Sequence, residues 1–600
     1  MTDYKPPVKE HDFILNHVVG LSDVTALPAY TDVTQDLVTA ILTEAGRFVA
    51  EELAPLNRRG DMEGATLKEG VVTTAAGFKQ AYQKYIEGGW NGMSATPDFG
   101  GQGLPLVVHN AVAEMANGAN MAFMLCSLLN QGAIEALQSH GSKEQKDVYL
   151  HNIIAGHWTA TMNLTEPQAG SDVGALRCKA VRQDAGHYLI EGQKIYITFG
   201  EHDMAENIVH LVLARTPDAP AGTRGISLFI VPKFLPDGEG GLGERNDVQA
   251  VSLEHKLGIH GSPTCVMSFG DKGNCIGYLL GEEFHGMRCM FTMMNSARLG
   301  VGLQGVGCAE RAYQMALDYA LQRVQGQPVG AEVGAPIIEH ADIRRQLLTM
   351  KACIDASRLL CSYNSRAIDL SRHHPDPEVR AAQQGLADLL TPLSKAYGSD
   401  VGVEVASNAI QVFGGMGYIE EAGIAQLYRD SRIAPIYEGT NGIQAVDLVV
   451  RKLKQDDGRH WQTLFDECSA LADEIVANTE MDAFRKAGRQ LAMAVDTARD
   501  CAQFLSAQCE TNMRAALAGA SPFLRLMSMT VGSWLSLKAA VAAQQQMKQP
   551  ESDADFLQQQ ITSACFFAEQ LLPPATALSH AIKGGEGLLF GLAADVQIDE

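Results

Sequence analysis

The order in which helical and strand-like patterns follow one another constrains this 600-residue chain most. From about Asp32 to His157 apolar residues recur at helical spacing, and VTQDLVTAILTEAGRFVAEEL puts Leu37, Ile41 and Phe48 on one predicted face. Helix stops at GGWNG and DFGGQGLP punctuate this block. From about Thr159 to Leu280 the texture changes to short Val- and Ile-rich runs, such as NIVHLVLA and GISLFIVP, broken by Gly, Pro and Asp; these read as strands. From about Glu283 to Leu453 the helical period returns, with Ile343, Leu347, Met350 and Ile354 on one stripe. Past Gly458 comes a last helical block rich in Ala, Gln and Leu. Strands gathered between helical blocks predict a segregated α+β chain, not the alternating βαβ of a dinucleotide fold. The expected divisions are an extension over 1–35, a helical domain over 36–157, a β domain over 158–282, a helical bundle over 283–457 and an additional helical domain over 458–600.

Charge narrows the function. Lys and Arg number 47 against 70 Asp and Glu, a net charge of −23. That balance argues against a nucleic-acid binder and against docking on an anionic membrane. The 12 cysteines form no C-x-x-C pair, and no metal site is expected. The opening MTDYKPPVKE is not a signal or transit peptide pattern, so reduced thiols in a cytoplasmic setting are expected. The longest uncharged stretch, Met115 to Ile134, contains Asn117, Asn120, Asn130 and Gln131, which predicts a buried helix and not a membrane span.

Four local patterns bear on chemistry. Gly300-Val-Gly302-Leu-Gln-Gly305 matches a dinucleotide fingerprint but lies between helical segments, so close helix packing is the better reading. MNLTEPQAGSDVGAL, residues 162–176, leaves a strand and turns at Pro167 and Gly170; its hydroxyls and backbone N–H groups suit a polar ring or phosphate, and equally an ordinary capped turn. In KIYITFG, alternation puts Tyr196 and Thr198 on one face, which suits the edge of a planar cofactor or a plain core-and-solvent pair. In SRIAPIYEGTNGIQ, Glu438 sits among Ile433, Pro435, Ile436 and Tyr437 just before a helix, for which Asn441 and Gln444 resemble a capping box. The carboxylate either complements the helix dipole or, desolvated, works as a general base. Met287, Met290, Met293 and Met294 share one predicted helix, where core packing is favoured over lining a ligand tail.

Taken together, LTEPQAGSD, GQKIYITFG, HKLGIHGSP, RVQGQPVG, QVFGGMGY and IYEGTNGIQ, in that order, resemble the acyl-CoA dehydrogenase family over roughly residues 36–455. HKLGIHGSPTC, GMRCMFTMMNSARLGVGLQG and the extra C-terminal block resemble the branch that includes 3-methylmercaptopropionyl-CoA dehydrogenases and bacterial fatty acyl-CoA dehydrogenases of similar length. The resemblance implies an N-terminal helical domain, a middle β-barrel and a C-terminal four-helix bundle around FAD. It implies oxidation of an acyl-CoA to trans-2-enoyl-CoA, with electrons passed to an electron-transferring flavoprotein. By the same resemblance Glu438 is the base for the α-proton. Met162, Leu164 and Thr165 meet the flavin ring, and Tyr196 and Thr198 lie at its edge. Arg323, Gln411 and Gly415 reach the FAD of a neighbouring subunit, Thr440 its adenine side, and a homodimer follows. Ser171, Arg298, Tyr437 and Gly439 are the implied acyl-CoA contacts.

The chain departs from the family at three points. Ala297, before Arg298, stands where some members carry the base, leaving Glu438 as the candidate. Arg323-Val-Gln-Gly lacks the usual aromatic, and Gly442 replaces a glutamine. An acyl-CoA oxidase is the nearest alternative chemistry. A DNA-associated flavoprotein of the alkylation-response type is remote, because residues 459–600 hold 10 Lys and Arg against 17 Asp and Glu. Medium or long straight acyl chains and a methylthio-propionyl group remain open as substrates.

Overall fold

In the computed structural model, which describes residues 3–237, 240–478 and 484–591, the two most apolar runs become neighbouring antiparallel strands. Asn207–Ala214 and Ser227–Pro232 are buried at every position, so the sheet is covered on both faces there. The sheet runs Val248–Leu253, Thr264–Phe269, Tyr188–Thr198, Ile276–Leu280, Ser227–Pro232, Asn207–Ala214, Trp158–Asn163, with Lys179–Arg182 also paired to Tyr188–Thr198. Pairing is antiparallel except between Trp158–Asn163 and Asn207–Ala214. The two outer strands do not pair with each other, so among the described residues the expected barrel is not closed. Closure needs every edge to find a partner; the Val248–Leu253 edge is bulged between Ala250 and Ser252.

The chain forms two units, one of Glu44–Pro105 and Met115–Gly300, the other of Met1–Thr43, Leu106–Glu114 and Val301–Glu600. In the first, Ile134, Leu137, Leu150, Ile153, Trp158, Leu211 and Ile230 make one core with Met290 and Met293; Met287 and Met294 pack against it. The methionine group is therefore core packing. The uncharged stretch lies inside helix Leu106–His140, which breaks its helical geometry at Asn120. There the Asn120 amide donates to the Leu53 carbonyl at 3.4 Å, and Asn120 Oδ1 accepts from the Phe123 N–H at 3.1 Å. Two helices, Leu106–His140 and Ala520–Gln546, are long and apolar enough to cross a membrane, but 89% and 83% of their apolar windows are buried in the protein.

The predicted face of helix Gln35–Phe48 is right at Phe48 and off by one residue at Leu37 and Ile41. Val38, Leu42, Ala45 and Phe48 are buried, whereas Leu37 is exposed and Ile41 half-buried. The sequence offers two adjacent apolar stripes, and tertiary packing selects the one ending on Phe48 and Val49.

In the second unit, helices Ala341–His373 and Pro377–Phe413 pair along their length, and the C-terminal helix Ala520–Gln546 packs against both. The glycine fingerprint is a packing surface. A Cβ on Gly302 would lie 2.5 Å from the Ser394 carbonyl oxygen, and one on Gly305 would lie 2.1 Å from that of Gly398. The appended block joins the same body: Ser563 donates to Asp355 at 2.7 Å, and Trp534 meets Tyr363 edge-on at 5.3 Å. The N-terminal segment joins too, with Phe13 edge-on to Phe556 at 5.7 Å. Asp369 reaches across to cap helix Leu106–His140, accepting from the N–H groups of Leu106 and Val107 at 2.8 and 2.9 Å.

No disulfide joins the described cysteines, and no group of three or more His, Cys, Asp or Glu suited to a metal occurs among the described residues.

Two buried histidines sit in the β-bearing unit. His202 bonds with Thr159 at 2.9 Å and His210 with Thr161 at 2.8 Å. Burial, with Lys233 adding, pushes both down to about 3. An unfolded histidine takes up its proton near pH 6.5, so each contributes stability that is complete above that pH. The contribution is lost as pH falls toward 3, at up to about 1.4 kcal/mol per pH unit for each group. The denaturation midpoint, followed from pH 7 to 4, should fall for the native protein, and His210→Gln should fall less steeply; parallel curves would contradict this assignment.

Candidate active site

The residues singled out from the sequence fall into two sets, one in each unit. In the β-bearing unit the loop after strand Trp158–Asn163 is built around a buried ion pair. Lys194 is fully buried and donates to Glu166 at 2.8 Å and to the Leu164 carbonyl at 3.0 Å. Glu166 also accepts from the N–H groups of Arg177 and Cys178 at 2.6 and 3.0 Å, so both ends of the turn are tied to one carboxylate. Burial alone would raise this carboxyl; Lys194 and the two backbone donors hold it below its ordinary value.

Lys194 faces inward in step with Tyr188 and Ile190, and the strand turns irregular just after it. Opposite Met267 and Cys265 stand Lys194 and Ile197, three residues apart against two, which is a β-bulge. Within the bulge Tyr196 adopts φ 61° and turns its ring outward, 60% exposed. Thr198 lies half-exposed two residues on. The Ile195 N–H donates to the Thr165 carbonyl at 2.9 Å and binds loop to strand. Met162, Leu164 and Thr165, all half-buried, therefore lie beside the Tyr196 bulge. Apolar side chains next to a hydroxyl and an outward phenol fit the faces and polar edge of an isoalloxazine ring. Ser171 is exposed in the turn after Gly170. Arg298 is buried, with its guanidinium 5.9 Å from the centre of the Phe291 ring and 3.4 Å from Asn295 Oδ1.

In the other unit the segment from Pro435 to Thr440 is a closed loop ahead of helix Asn441–Val450. The Asn441 N–H donates back to the Pro435 carbonyl at 3.0 Å. Glu438 and Gly439 are successive left-handed residues, with φ of 56° and 81°. A non-glycine residue in that region costs about 1–3 kcal/mol unless its surroundings enforce it. The enforcing group is Gln444, fully buried, whose amide donates to the carbonyls of Glu438 at 3.3 Å and Gly439 at 3.2 Å. The capping box expected from Asn441 and Gln444 is not formed. Thr440 is the N-cap and accepts from the Ile443 N–H at 3.2 Å. Gln444 is spent on the loop, and Asn441 turns to helix Pro377–Phe413. Glu438 thus stands half-buried just ahead of a helix N-terminus, where the helix dipole favours negative charge.

Tyr437 donates its hydroxyl to Gln304, which is buried on helix Gly286–Gln322. Burial holds the phenol well above its ordinary value, and the nearby Glu438 charge adds to the rise. Arg323, Gln411 and Gly415 are exposed. They flank two helix ends pinned together by the stack of Tyr319 on Phe413, with centroids 4.3 Å apart. The sequence reading passed over Lys194, Glu166, Gln304 and the loop-clamping role of Gln444. The one local signal was a lysine set inside the apolar alternation of KIYITFG.

Comparison with known proteins gives matches in the same order as the textures. Residues 36–157, 161–272 and 285–453 match the N-terminal, middle and C-terminal domains of acyl-CoA dehydrogenase, and residues 464–593 match an acetyl-CoA dehydrogenase C-terminal-like domain. The chain is 47% identical to 3-methylmercaptopropionyl-CoA dehydrogenase of Ruegeria pomeroyi over 98% of this chain and 99% of that one. It is 35% identical to a butyryl-CoA dehydrogenase of Syntrophomonas wolfei over 97% of each. Its fold is similar to that of an acyl-CoA dehydrogenase complexed with FAD from Bacillus anthracis, with TM-score 0.73 and 21% identity over 97% of this chain and 94% of that one.

The clamp on the Glu438 loop is testable by itself. Gln444→Met should cost about 1–2 kcal/mol for the two lost bonds and speed amide hydrogen exchange in residues 435–441. Unchanged exchange there would show that the loop holds its shape without Gln444.

Proposed function

The chain belongs to the acyl-CoA dehydrogenase family of FAD-dependent oxidoreductases, and from that premise we propose that it oxidises 3-methylmercaptopropionyl-CoA at its α and β carbons to the trans-2-enoyl thioester. The observation that carries the reading is the Glu438 carboxylate, held on a left-handed backbone by Gln444 at the mouth of a helix. The choice of acyl group is supported by 47% identity to the Ruegeria pomeroyi enzyme along nearly its whole length.

Glu438 removes the α-proton, and its own N–H donates to the thioester carbonyl oxygen. A donor aimed at developing enolate charge lowers the barrier by about 3–4 kcal/mol. Bound FAD supplies the acceptor for the β-hydride. Met162, Leu164 and Thr165 hold the ring, and Tyr196 and Thr198 its edge. Ser171, Arg298, Tyr437 and Gly439 position the acyl-CoA. Arg323, Gln411 and Gly415, presented on an exposed end, reach the FAD of a partner subunit in a homodimer, with Thr440 at its adenine side. Electrons leave to an electron-transferring flavoprotein, in the cytoplasm.

Anaerobic mixing with acyl-CoA should bleach the bound flavin. Glu438→Gln should retain FAD and bind acyl-CoA, yet bleach about 10²–10⁴-fold more slowly; near-normal bleaching would remove Glu438 from this role. Across an acyl-CoA panel, the highest kcat/KM is expected for 3-methylmercaptopropionyl-CoA with a flavoprotein acceptor. A preference for butyryl-CoA or longer straight chains would overturn the substrate, and stoichiometric hydrogen peroxide in air would identify an oxidase.

A further inference from the structure

Three helices of the same unit meet around a small cavity of about 90 Å³: Pro377–Phe413, Asn441–Val450 and the appended Ala520–Gln546. Ligand pockets begin near roughly 300 Å³, so this space suits a few waters and no acyl chain. Its wall includes Tyr397, Asp400, Asn441 and Arg525. Tyr397, Asp400 and Glu404 lie three and four residues apart, on one stripe of their helix. Arg525 reaches that stripe from the appended helix. It donates to Glu404 at 2.9 Å and lies over the Tyr397 ring, 5.1 Å from its centre.

The stripe leads to the Glu438 loop. The Asn441 amide donates to Asp400 at 2.7 Å, and Asn441 Oδ1 accepts from the buried Lys395 at 2.8 Å. The backbone of the same asparagine closes the loop onto Pro435 at 3.0 Å. Sliding Asn441 therefore moves the segment carrying Glu438. A misplacement of about 1 Å from a remote substitution can cost a hundredfold in rate.

We propose that Arg525, Asp400 and Asn441 form a positioning network for the Glu438 loop, so that the appended helical block takes part in setting the catalytic geometry. The inference rests on Glu438 being the base. Every charged group around Asp400 bears on it. Burial pushes its carboxyl up, and Glu404 adds to the rise; Arg525, the Asn441 hydrogen bond and Lys395 pull it down. An ionised acceptor holds the Asn441 amide more firmly than a neutral one. Removing Arg525 leaves Asp400 protonated to higher pH, and the grip on Asn441 loosens there.

The test uses the full-length FAD-loaded protein. Flavin bleaching by an acyl-CoA that the native protein oxidises is timed between pH 6 and 9. Hydrogen exchange of residues 435–441 is measured without substrate, alongside FAD content and melting midpoint. Arg525→Ala should slow bleaching by about tenfold, move the acid limb of the rate profile to higher pH and speed exchange in 435–441. Arg525→Lys should recover most of the rate, and Asp400→Asn should remove the shift of the limb. Bleaching within twofold of native, with the same acid limb and the same exchange, would overturn the proposal. If Arg525→Ala does not fold, Glu404→Gln, which removes the carboxylate anchoring Arg525, is judged by bleaching rate and by exchange in 435–441 alone, because the loss of Glu404 also lowers the Asp400 carboxyl and offsets the limb. Failure of the native protein to bleach with any acyl-CoA would sink the activity reading, while the exchange measurement would still judge the coupling.

Discussion

Burying a guanidinium without paired carboxylates is so costly that Arg358 dictates the layout around it. This side chain is fully buried and bonds to Glu114 at 2.7 Å and Glu310 at 2.8 Å. Asp355 stands 3.7 Å away and also pairs with Lys351. Three helices, Leu106–His140, Gly286–Gln322 and Ala341–His373, are thereby locked in register, because none can slide without stranding a charge. The helix bearing Glu310 also bears Gln304, the acceptor for Tyr437 beside Glu438. The same helix meets Pro377–Phe413 through Gly302 and Gly305, too closely for any side chain to intervene. The carboxylate loop thus inherits its position from a charge cluster remote from it in sequence.

The β-bearing unit uses the same device on a smaller scale. Lys194 and Glu166 replace water with each other and with backbone groups of the turn they organise. A neutral pair would fill the space, but it would not fix so many backbone donors and acceptors at once. In both units the buried ions specify geometry around the candidate chemistry, and apolar packing supplies the bulk of the stability. The appended C-terminal helices belong to this scheme as well, since Ser563 bonds to Asp355 of the central cluster and Arg525 stands over the helix that receives Asn441.

Much of this was legible in the chain. Strand runs of all-buried residues, the methionine core and the glycine packing surface each follow from local composition and period. Of the candidate residues, Thr165, Ser171, Tyr196, Thr198 and Glu438 stood out as hydroxyl, aromatic and carboxylate groups in turn-bounded segments, each with an ordinary structural alternative, and the others were implied by the family resemblance. What was not legible was conformation that depends on distant partners. The bulge that turns Tyr196 outward is set by the partner strand, and the neighbouring helix drew Asn441 away from the capping role that local spacing suggested. The inward face of helix Gln35–Phe48 was likewise chosen by what it packs against.

By itself the sequence determined the succession of helical and β segments, the sites of their turns and the identity of the groups able to do chemistry. These are local properties, governed by backbone preference and by periodic burial within a dozen residues. Only the tertiary structure decided which charges are buried, which loops they hold and which side chains point outward. Arg358 and Glu114 are 244 positions apart, and Lys194 and Glu166 are 28 apart. No local pattern marks such partners, because the free energy that selects them exists only once water has been excluded around both.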